Sequence, residues 1–108
     1  MELSYTIAVD FDGTLCTNNY PDIGEPIYEV INFIKNKQDE GCKVILNTCR
    51  AGVYLFQALE WCHEHGLFFD AVNENLKERI EFFGGDTRKI SADLYIDDKA
   101  INPKELFI

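Results

Sequence analysis

The sequence predicts an α/β fold: a Rossmann-like, three-layer α/β/α arrangement with a central parallel sheet. Short apolar runs of strand length alternate along the chain with amphipathic segments of helix length. This alternation is typical of βαβ units, whose right-handed crossovers place helices on both faces of a parallel sheet. At 108 residues the chain has the length of one domain, and we expect residues 1–108 to form it.

The first two elements have the clearest patterns. Residues 5–9 (YTIAV) form an apolar run, as expected of a central strand buried on both faces. Apolar residues between 27 and 34 recur at helical spacing, with Pro26 suited to the first turn and Gly41 just past the end. The remaining predicted elements are strand 44–46, helix 55–62 ended by Gly66, strand 71–72, helix 76–83 ended by Gly84 and Gly85, strand 94–96 and an edge strand at 106–108.

Composition excludes several classes of function. The formal net charge is −9 and the pI about 4.5, so the chain would be repelled by the phosphate backbone of a duplex, and nucleic acid is not expected as a partner. No apolar stretch approaches the ~20 residues of a membrane span, and the N-terminus lacks the basic start of a secretory signal. The four scattered cysteines are then expected to be free thiols in the cytoplasm.

Acidic and polar residues follow three of the predicted strands. Asp10 and Asp12 follow the first strand, residues 48–50 follow the second, and Asp97 and Asp98 follow the last clear strand. Ligands of such sheets bind beyond the carboxyl ends of the strands, where the strand order reverses. If the first and last of these strands are neighbours, four carboxylates converge there, and a divalent cation is the simplest compensation for their repulsion. Hard oxygen ligands favour Mg²⁺ over zinc.

These strand-end residues resemble four motifs of the haloacid dehalogenase (HAD) superfamily of phosphohydrolases. The run Asp10-Phe11-Asp12-Gly13-Thr14-Leu15 after an apolar strand is similar to the first motif, and it is the most specific of the four. Thr48, Lys89 and the pair Asp97-Asp98 stand where the other three motifs have a Thr or Ser, a Lys and an acidic pair. Their order and spacing agree over nearly the whole chain, so the resemblance implies a HAD-like hydrolase domain.

The resemblance implies a phosphatase that acts through an aspartyl-phosphate. Asp10 is then the nucleophile, and Asp12, on the same side of an extended segment, protonates the leaving oxygen and later activates water. Mg²⁺ is expected on the Asp10 carboxylate, the Asp12 backbone carbonyl and the acidic pair. By resemblance Asp98 binds the metal directly and Asp97 through water, although the sequence leaves that choice open.

Phosphate-binding residues follow from the same resemblance. The Thr48 hydroxyl and the Lys89 ammonium are expected to bind the transferring phosphoryl oxygens, whose charge must be stabilised in the transition state. Arg88 or Lys99 are the alternatives to Lys89. Arg50 is a further candidate for binding substrate phosphate, and its alternative role is to pair with acidic neighbours.

The chain has no room for the cap domain that most members of the superfamily carry. The first gap, residues 15–25, holds only a short flap, and the second, residues 51–88, is filled by predicted helices and a strand. A capless (C0-type) member has an open site, which in this family accompanies macromolecular phosphoesters or closure by a second subunit. We therefore expect a phosphorylated small molecule or macromolecule as the substrate, with a homo-oligomer as the alternative arrangement that closes the site.

Other functions fit the residues less well. A response-regulator receiver domain also uses an acidic pair, a phosphorylated Asp, a Thr or Ser and a Lys, but with the acidic pair first along the chain. A catalytically idle relative, kept as a binding module, would not need the complete set of motif residues. Transfer of the phosphoryl group to an acceptor other than water uses the same intermediate and stays open.

Overall fold

Within residues 2–107, which the computed structural model describes, four parallel strands form a sheet with three α-helices around it. The elements in chain order are β1 (Thr6–Val9), α1 (Tyr28–Asp39), β2 (Lys43–Leu46), α2 (Gly52–Glu64), β3 (Ala71–Val72), α3 (Lys77–Phe83) and β4 (Leu94–Ile96). The strand order is β3-β2-β1-β4. β1 and β4 are therefore neighbours. β2 and β3 lie on one side of β1 and β4 lies on the other, so the strand order reverses at β1.

The central strand β1 is buried along its whole length. Val9, its last residue, pairs with Leu46 of β2 on one side and with Ile96 of β4 on the other. The residues after these three strands therefore emerge at one edge of the sheet. Because successive side chains of a strand point to opposite faces, a strand buried throughout needs cover on both faces.

The two faces of the sheet are covered by different helices, as predicted. On one face, alternate residues of β1 and β2 pack with Ile31 and Ile34 of α1 and with Ala58 and Cys62 of α2. On the other, Ala8 and Ile45 pack against Leu76, which caps α3, and against Ile90 in the segment after α3. The result is the predicted three-layer α/β/α arrangement with a parallel sheet.

Two details of the predicted elements are wrong. Leu106 and Phe107 do not form an edge strand: they belong to a 3₁₀ helix at Pro103–Phe107, and Ile108 lies outside the described residues. Pro26 lies before α1 rather than in its first turn, because Ile27 is the capping residue and Pro26 forms an antiparallel bridge with Cys16. That bridge closes the base of the loop between β1 and α1.

Acidic side chains join the strands at the amino edge of the sheet. Asp93, just before β4, accepts the backbone N–H of Thr6 at 2.9 Å and an N–H of the Arg79 side chain at 2.5 Å. Asp70, just before β3, accepts the N–H of Val44 at 2.8 Å. Each carboxylate thus satisfies a backbone donor at the start of the neighbouring strand, which fixes the register of the pair.

The helices of residues 2–107 are short, and none is long and apolar enough to cross a bilayer. The four cysteines are free thiols. Cys16 and Cys62 are buried, whereas Cys49 is exposed. Burial raises the pKa of Cys62 to about 12, so its thiol stays protonated and unreactive at neutral pH.

Candidate active site at the carboxyl edge of the sheet

A cavity of about 440 Å³ lies at the carboxyl edge of the sheet. Asp10 and Asp12 line it from the loop after β1, and residues 48–50 line it from the loop after β2. The other lining residues are Asn18, Tyr20 and Lys99. The structure therefore brings together residues that are separated by up to 89 positions in the sequence (99 − 10 = 89), at the place where parallel sheets bind their ligands.

Asp10 belongs to a tight group of carboxylates. One ligand oxygen each from Asp10, Asp97 and Asp98 lies within 4.8 Å of the others. The pKa of Asp10 is raised to about 6, chiefly by burial and further by the charges of Asp97, Asp98 and Asp12. The N–H of Phe11, which donates to Asp10 Oδ1 at 2.7 Å, opposes this rise. Ionising all three carboxylates without a cation is thus unfavourable.

Gly13 gives Asp98 room to approach this group. Gly13 has a φ of +81°, a backbone conformation that residues other than glycine rarely adopt. A Cβ atom added at Gly13 would lie 2.3 Å from Asp98 Oδ2, which is closer than Cβ atoms come to atoms they are not bonded to. The absence of a side chain at this position is therefore what allows the first and fourth motifs to meet.

The donor set of this group fits a hard divalent cation. Three carboxylates on short strand-end loops supply oxygen ligands with negative charge, which suits Mg²⁺ and leaves coordination positions for water or a phosphoryl oxygen. The Asp12 side chain is not among them, because both of its oxygens are bound by Arg50. Asp97 Oδ1 also accepts the backbone N–H of Lys99 at 2.8 Å, which holds the loop after β4 in place.

All N–H groups of Arg50 are hydrogen-bonded within the protein. Its Nε and Nη2 donate to the two oxygens of Asp12, each at 2.8 Å. The three other N–H groups donate to the backbone carbonyls of Pro21, Asp22 and Tyr54 at 3.1, 2.8 and 3.3 Å. A guanidinium has five N–H donors, so none is left for a substrate. The alternative role, pairing with an acidic neighbour, is the one the structure has.

Thr48 stands where a phosphoryl-binding hydroxyl is expected. Its oxygen accepts the backbone N–H of Arg50 at 3.1 Å, and its own N–H donates to Asn73 Oδ1 at 2.8 Å. Asn73 follows β3 with a φ of 54° and is thereby turned towards the loop after β2. A hydroxyl that accepts one hydrogen bond keeps its proton for donation, so Thr48 is oriented and still able to bind an anion.

Besides Arg50, three cations were candidates for binding phosphate, and they lie in different places. Lys99 lines the same cavity as Asp10 and Thr48. Lys89 lines an adjoining groove together with Asn47 and Asp97, and its Nζ lies 5.4 Å from the centre of the Tyr95 ring. Arg88 lines a separate depression near α3. The structure thus brings Lys99, rather than Lys89, into the cavity, while Lys89 borders the acidic group at Asp97.

Two lining residues were missed by sequence reasoning. Asn18 and Tyr20 come from the flap, by which we mean residues 17–25, the loop between the first motif and α1. The ends of the flap are joined because Thr17 N–H donates to the Glu25 carbonyl at 2.8 Å. Tyr20 contacts the Tyr54 ring edge to face, with the ring centres 5.8 Å apart. No local pattern in 17–25 signals that it lies over the cavity.

Comparison with known proteins gives one informative relative. No family model matches the chain, and no curated protein matches it either. A solved structure of a conserved protein from Bacteroides thetaiotaomicron matches with 42% sequence identity and a TM-score of 0.80, over 92% of this chain and 79% of that chain. The chain belongs to the family of that conserved protein. The shared backbone supports the Rossmann-like α/β fold described above.

Proposed function

We propose that the chain is a Mg²⁺-dependent phosphomonoester hydrolase of the HAD type, acting through an aspartyl-phosphate on Asp10. The observation that carries this proposal is the convergence of Asp10, Asp97 and Asp98 within 4.8 Å, beside a cavity that Asp12 and Thr48 also line. These are the residues that the four-motif resemblance assigns to nucleophile, metal, acid–base and phosphate roles. A phosphoryl group with its bound cation satisfies this set of charges and hydrogen bonds.

The first half of the reaction forms the phosphoenzyme. An Asp10 oxygen attacks phosphorus, the new O–P bond forms, and the bond from phosphorus to the leaving oxygen breaks. Asp12 gives a proton to that leaving oxygen. When bound, Mg²⁺ offsets the charge of the carboxylates and of the phosphoryl oxygens, so that nucleophile and phosphate can approach. The Thr48 hydroxyl donates to a phosphoryl oxygen.

The second half returns the free enzyme. Asp12 takes a proton from a water molecule, which attacks phosphorus; the bond from Asp10 to phosphorus breaks, and inorganic phosphate leaves. An acceptor hydroxyl in place of water would make the enzyme a phosphotransferase, and an idle binding module would lack turnover altogether. We propose Asp98 as the direct metal ligand, with Asp97 acting through water, because one Asp97 oxygen already accepts the Lys99 N–H.

The open cavity and acidic charge favour some substrates over others. With only the flap beside it, the cavity suits a phosphorylated small molecule or the phosphoester of a macromolecule other than nucleic acid, and a homo-oligomer would cover it further. The free thiols of the described chain suit the reducing cytoplasm, which we propose as the compartment.

The decisive experiment is steady-state hydrolysis of aryl phosphates with Mg²⁺ and with a chelator. Wild type should turn over only with the metal, and Asp10→Asn should lose about 10⁴-fold or more, because the amide is a poor nucleophile. Asp39→Asn is the matched control, since Asp39 is an exposed carboxylate on α1 outside the cavity. Near-normal turnover of Asp10→Asn would reject the nucleophile, and so would trapping by beryllium fluoride that survives this substitution.

A second experiment separates the two lysines. Lys99→Met removes an ammonium from the cavity, and Lys89→Met removes one from the groove that contains Asp97. The variant that loses the ammonium in contact with the phosphoryl group should have a kcat/KM lower by about 10²-fold. Because the resemblance assigns this role to Lys89, we expect its loss to be the larger. A larger loss for Lys99→Met would transfer the role to the lysine that lines the cavity in this structure.

A further inference from the structure

Arg50 is a buried cation beside the cavity with no N–H available to a substrate. Its side chain is 1% exposed and that of Asp12 is 19% exposed. The guanidinium also lies over two aromatic rings, with its central carbon 5.0 Å from the centres of both Phe11 and Tyr20. Removing a charge from water at this depth is costly, and only partners fixed in geometry compensate for it. Arg50 has such partners on every side.

Besides the Tyr54 carbonyl of α2 and the Phe11 ring, Arg50 contacts two groups with different tasks. One is Asp12, the acid–base carboxylate of the proposed mechanism, held by two parallel hydrogen bonds. The other is the flap, which Arg50 contacts at the Pro21 and Asp22 carbonyls and at the Tyr20 ring. Tyr20 and Asn18 of the flap line the same cavity as Asp10. The leaving part of a substrate bound at Asp10 would therefore meet both groups at once.

We propose that Arg50 is a positioning residue that joins Asp12 and the flap into one unit, so that the surface facing the leaving group and the carboxylate that protonates it are set together. This inference rests on the proposed function for the role of Asp12. A bidentate pair fixes the plane and both oxygens of the carboxylate, which a lysine cannot do because its ammonium is a point charge. The backbone carbonyls of the flap are fixed by the same rigid group.

The consequence to test is a dependence on the leaving group. Phenyl phosphate releases a basic oxygen that needs a proton, whereas dinitrophenyl phosphate releases a stable anion that needs little help. We expect Arg50→Lys to lower kcat/KM by about 10²-fold for phenyl phosphate and by less than about threefold for dinitrophenyl phosphate. Asp12→Asn should show the same pattern, and the double variant should lose little more than Asp12→Asn alone.

Arg79→Lys is the matched control. It is the same substitution in another buried arginine that pairs with an aspartate, outside the cavity; Asp93 itself is partly exposed. It should lower the melting temperature without distinguishing the two substrates. Equal losses on both substrates in Arg50→Lys, or losses that add in the double variant, would overturn the positioning role. If Arg50→Lys does not fold, Tyr20→Leu is the second variant, because Tyr20 is exposed and its ring contacts the Arg50 guanidinium. It should also lower kcat/KM more for phenyl phosphate than for dinitrophenyl phosphate, with a smaller difference between the two.

Amide hydrogen exchange tests the same unit without turnover. Asp12→Asn offers Arg50 one acceptor oxygen instead of two, so exchange over residues 17–25 should rise at least about tenfold in Asp12→Asn and Arg50→Lys and stay unchanged in Arg79→Lys. Unchanged exchange of residues 17–25 in both Asp12→Asn and Arg50→Lys would overturn the link between Arg50 and the flap. A wild type that hydrolyses no aryl phosphate would reject the proposed function, whereas raised flap exchange in that protein would still support the tie between Arg50, Asp12 and the flap.

Discussion

Two buried arginines, each paired with an aspartate, lie at opposite edges of the same sheet, and their surroundings differ. At the carboxyl edge Arg50 uses all five N–H donors and Asp12 lines the cavity. At the amino edge Arg79 binds Asp93, Ser91 and the Ser4 carbonyl, and its buried Nε has no partner within residues 2–107. The same two residue types thus form a complete network in one place and an incomplete one in the other.

The difference lies in what each carboxylate is connected to. Asp93 accepts a backbone N–H of β1, so the amino-edge pair joins two neighbouring strands and fixes their alignment. Asp12 lies among other carboxylates, and its charge contributes to the raised pKa of Asp10. The acidic residues of the amino edge therefore stabilise the fold, whereas at the carboxyl edge burial and the neighbouring charges oppose the ionisation of Asp10. This contrast is the expected cost of concentrating like charges at a site.

The largest effect on stability is expected at the amino edge. Asp93→Asn removes the charge that faces the buried Arg79. It should lower the free energy of unfolding by about 2 kcal/mol, the scale of a hydrogen bond to a charged group, because the Asp93 side chain is 38% exposed and partly screened by solvent. Denaturant melts would measure this, and kcat per folded molecule should stay unchanged because Asp93 does not line the cavity. If Asp93→Asn instead lowered kcat and left stability unchanged, the amino edge would have a role in catalysis rather than in stability.

Hydrophobic patterning accounts for most of the predicted fold. The apolar runs predicted at 5–9 and 44–46 contain the buried residues of β1 and β2, although Tyr5 itself is exposed and precedes β1. The helices α1 and α2 follow the helical spacing because burial of one face outweighs local propensity. The predicted edge strand is wrong at residues 106 and 107, because an apolar run of three residues is too short to distinguish a strand from a helical turn. Leu106 and Phe107 form part of a 3₁₀ helix and are exposed instead.

A second effect concerns two glycines that share a backbone conformation. Gly13 has a φ of +81° and Gly41 one of +94°, so an alanine at either should cost about 1 kcal/mol of strain. An added Cβ at Gly41 meets nothing within 4 Å, whereas at Gly13 it would meet Asp98. We expect Mg²⁺ to raise the melting temperature of the wild type, because it would offset the repulsion among the three carboxylates. Both glycine variants should melt earlier than wild type, and only Gly13→Ala should lose the rise with Mg²⁺. A full Mg²⁺ effect in Gly13→Ala would remove Asp98 from the metal site.

Candidate site residues were predictable only where the order of the strands in the sheet determines their positions. Asp10, Asp97 and Asp98 follow adjacent parallel strands, so their convergence follows from topology. The role of Arg50 depended on where the flap carbonyls lie, and no periodic pattern encodes a loop conformation. The position of the Lys89 ammonium depends on a long side chain outside any regular element, for the same reason.

The smallest expected effect is a stability change with pH at the carboxyl edge. Asp10 has a pKa of about 6 in the folded chain against 3.8 ordinarily, so between these values the folded state holds a proton that the unfolded state has lost. Without divalent cation, stability should therefore fall as pH rises from about 4 to about 6, by about 1 kcal/mol once solvent screening of this partly buried group is allowed for. Asp10→Asn should abolish this fall and be more stable than wild type at pH 7, the opposite sign to Asp93→Asn. Urea melts at pH 4 and pH 7 in chelator would measure both variants, and a wild type whose stability is flat over this range would show that the acidic group carries no net repulsion.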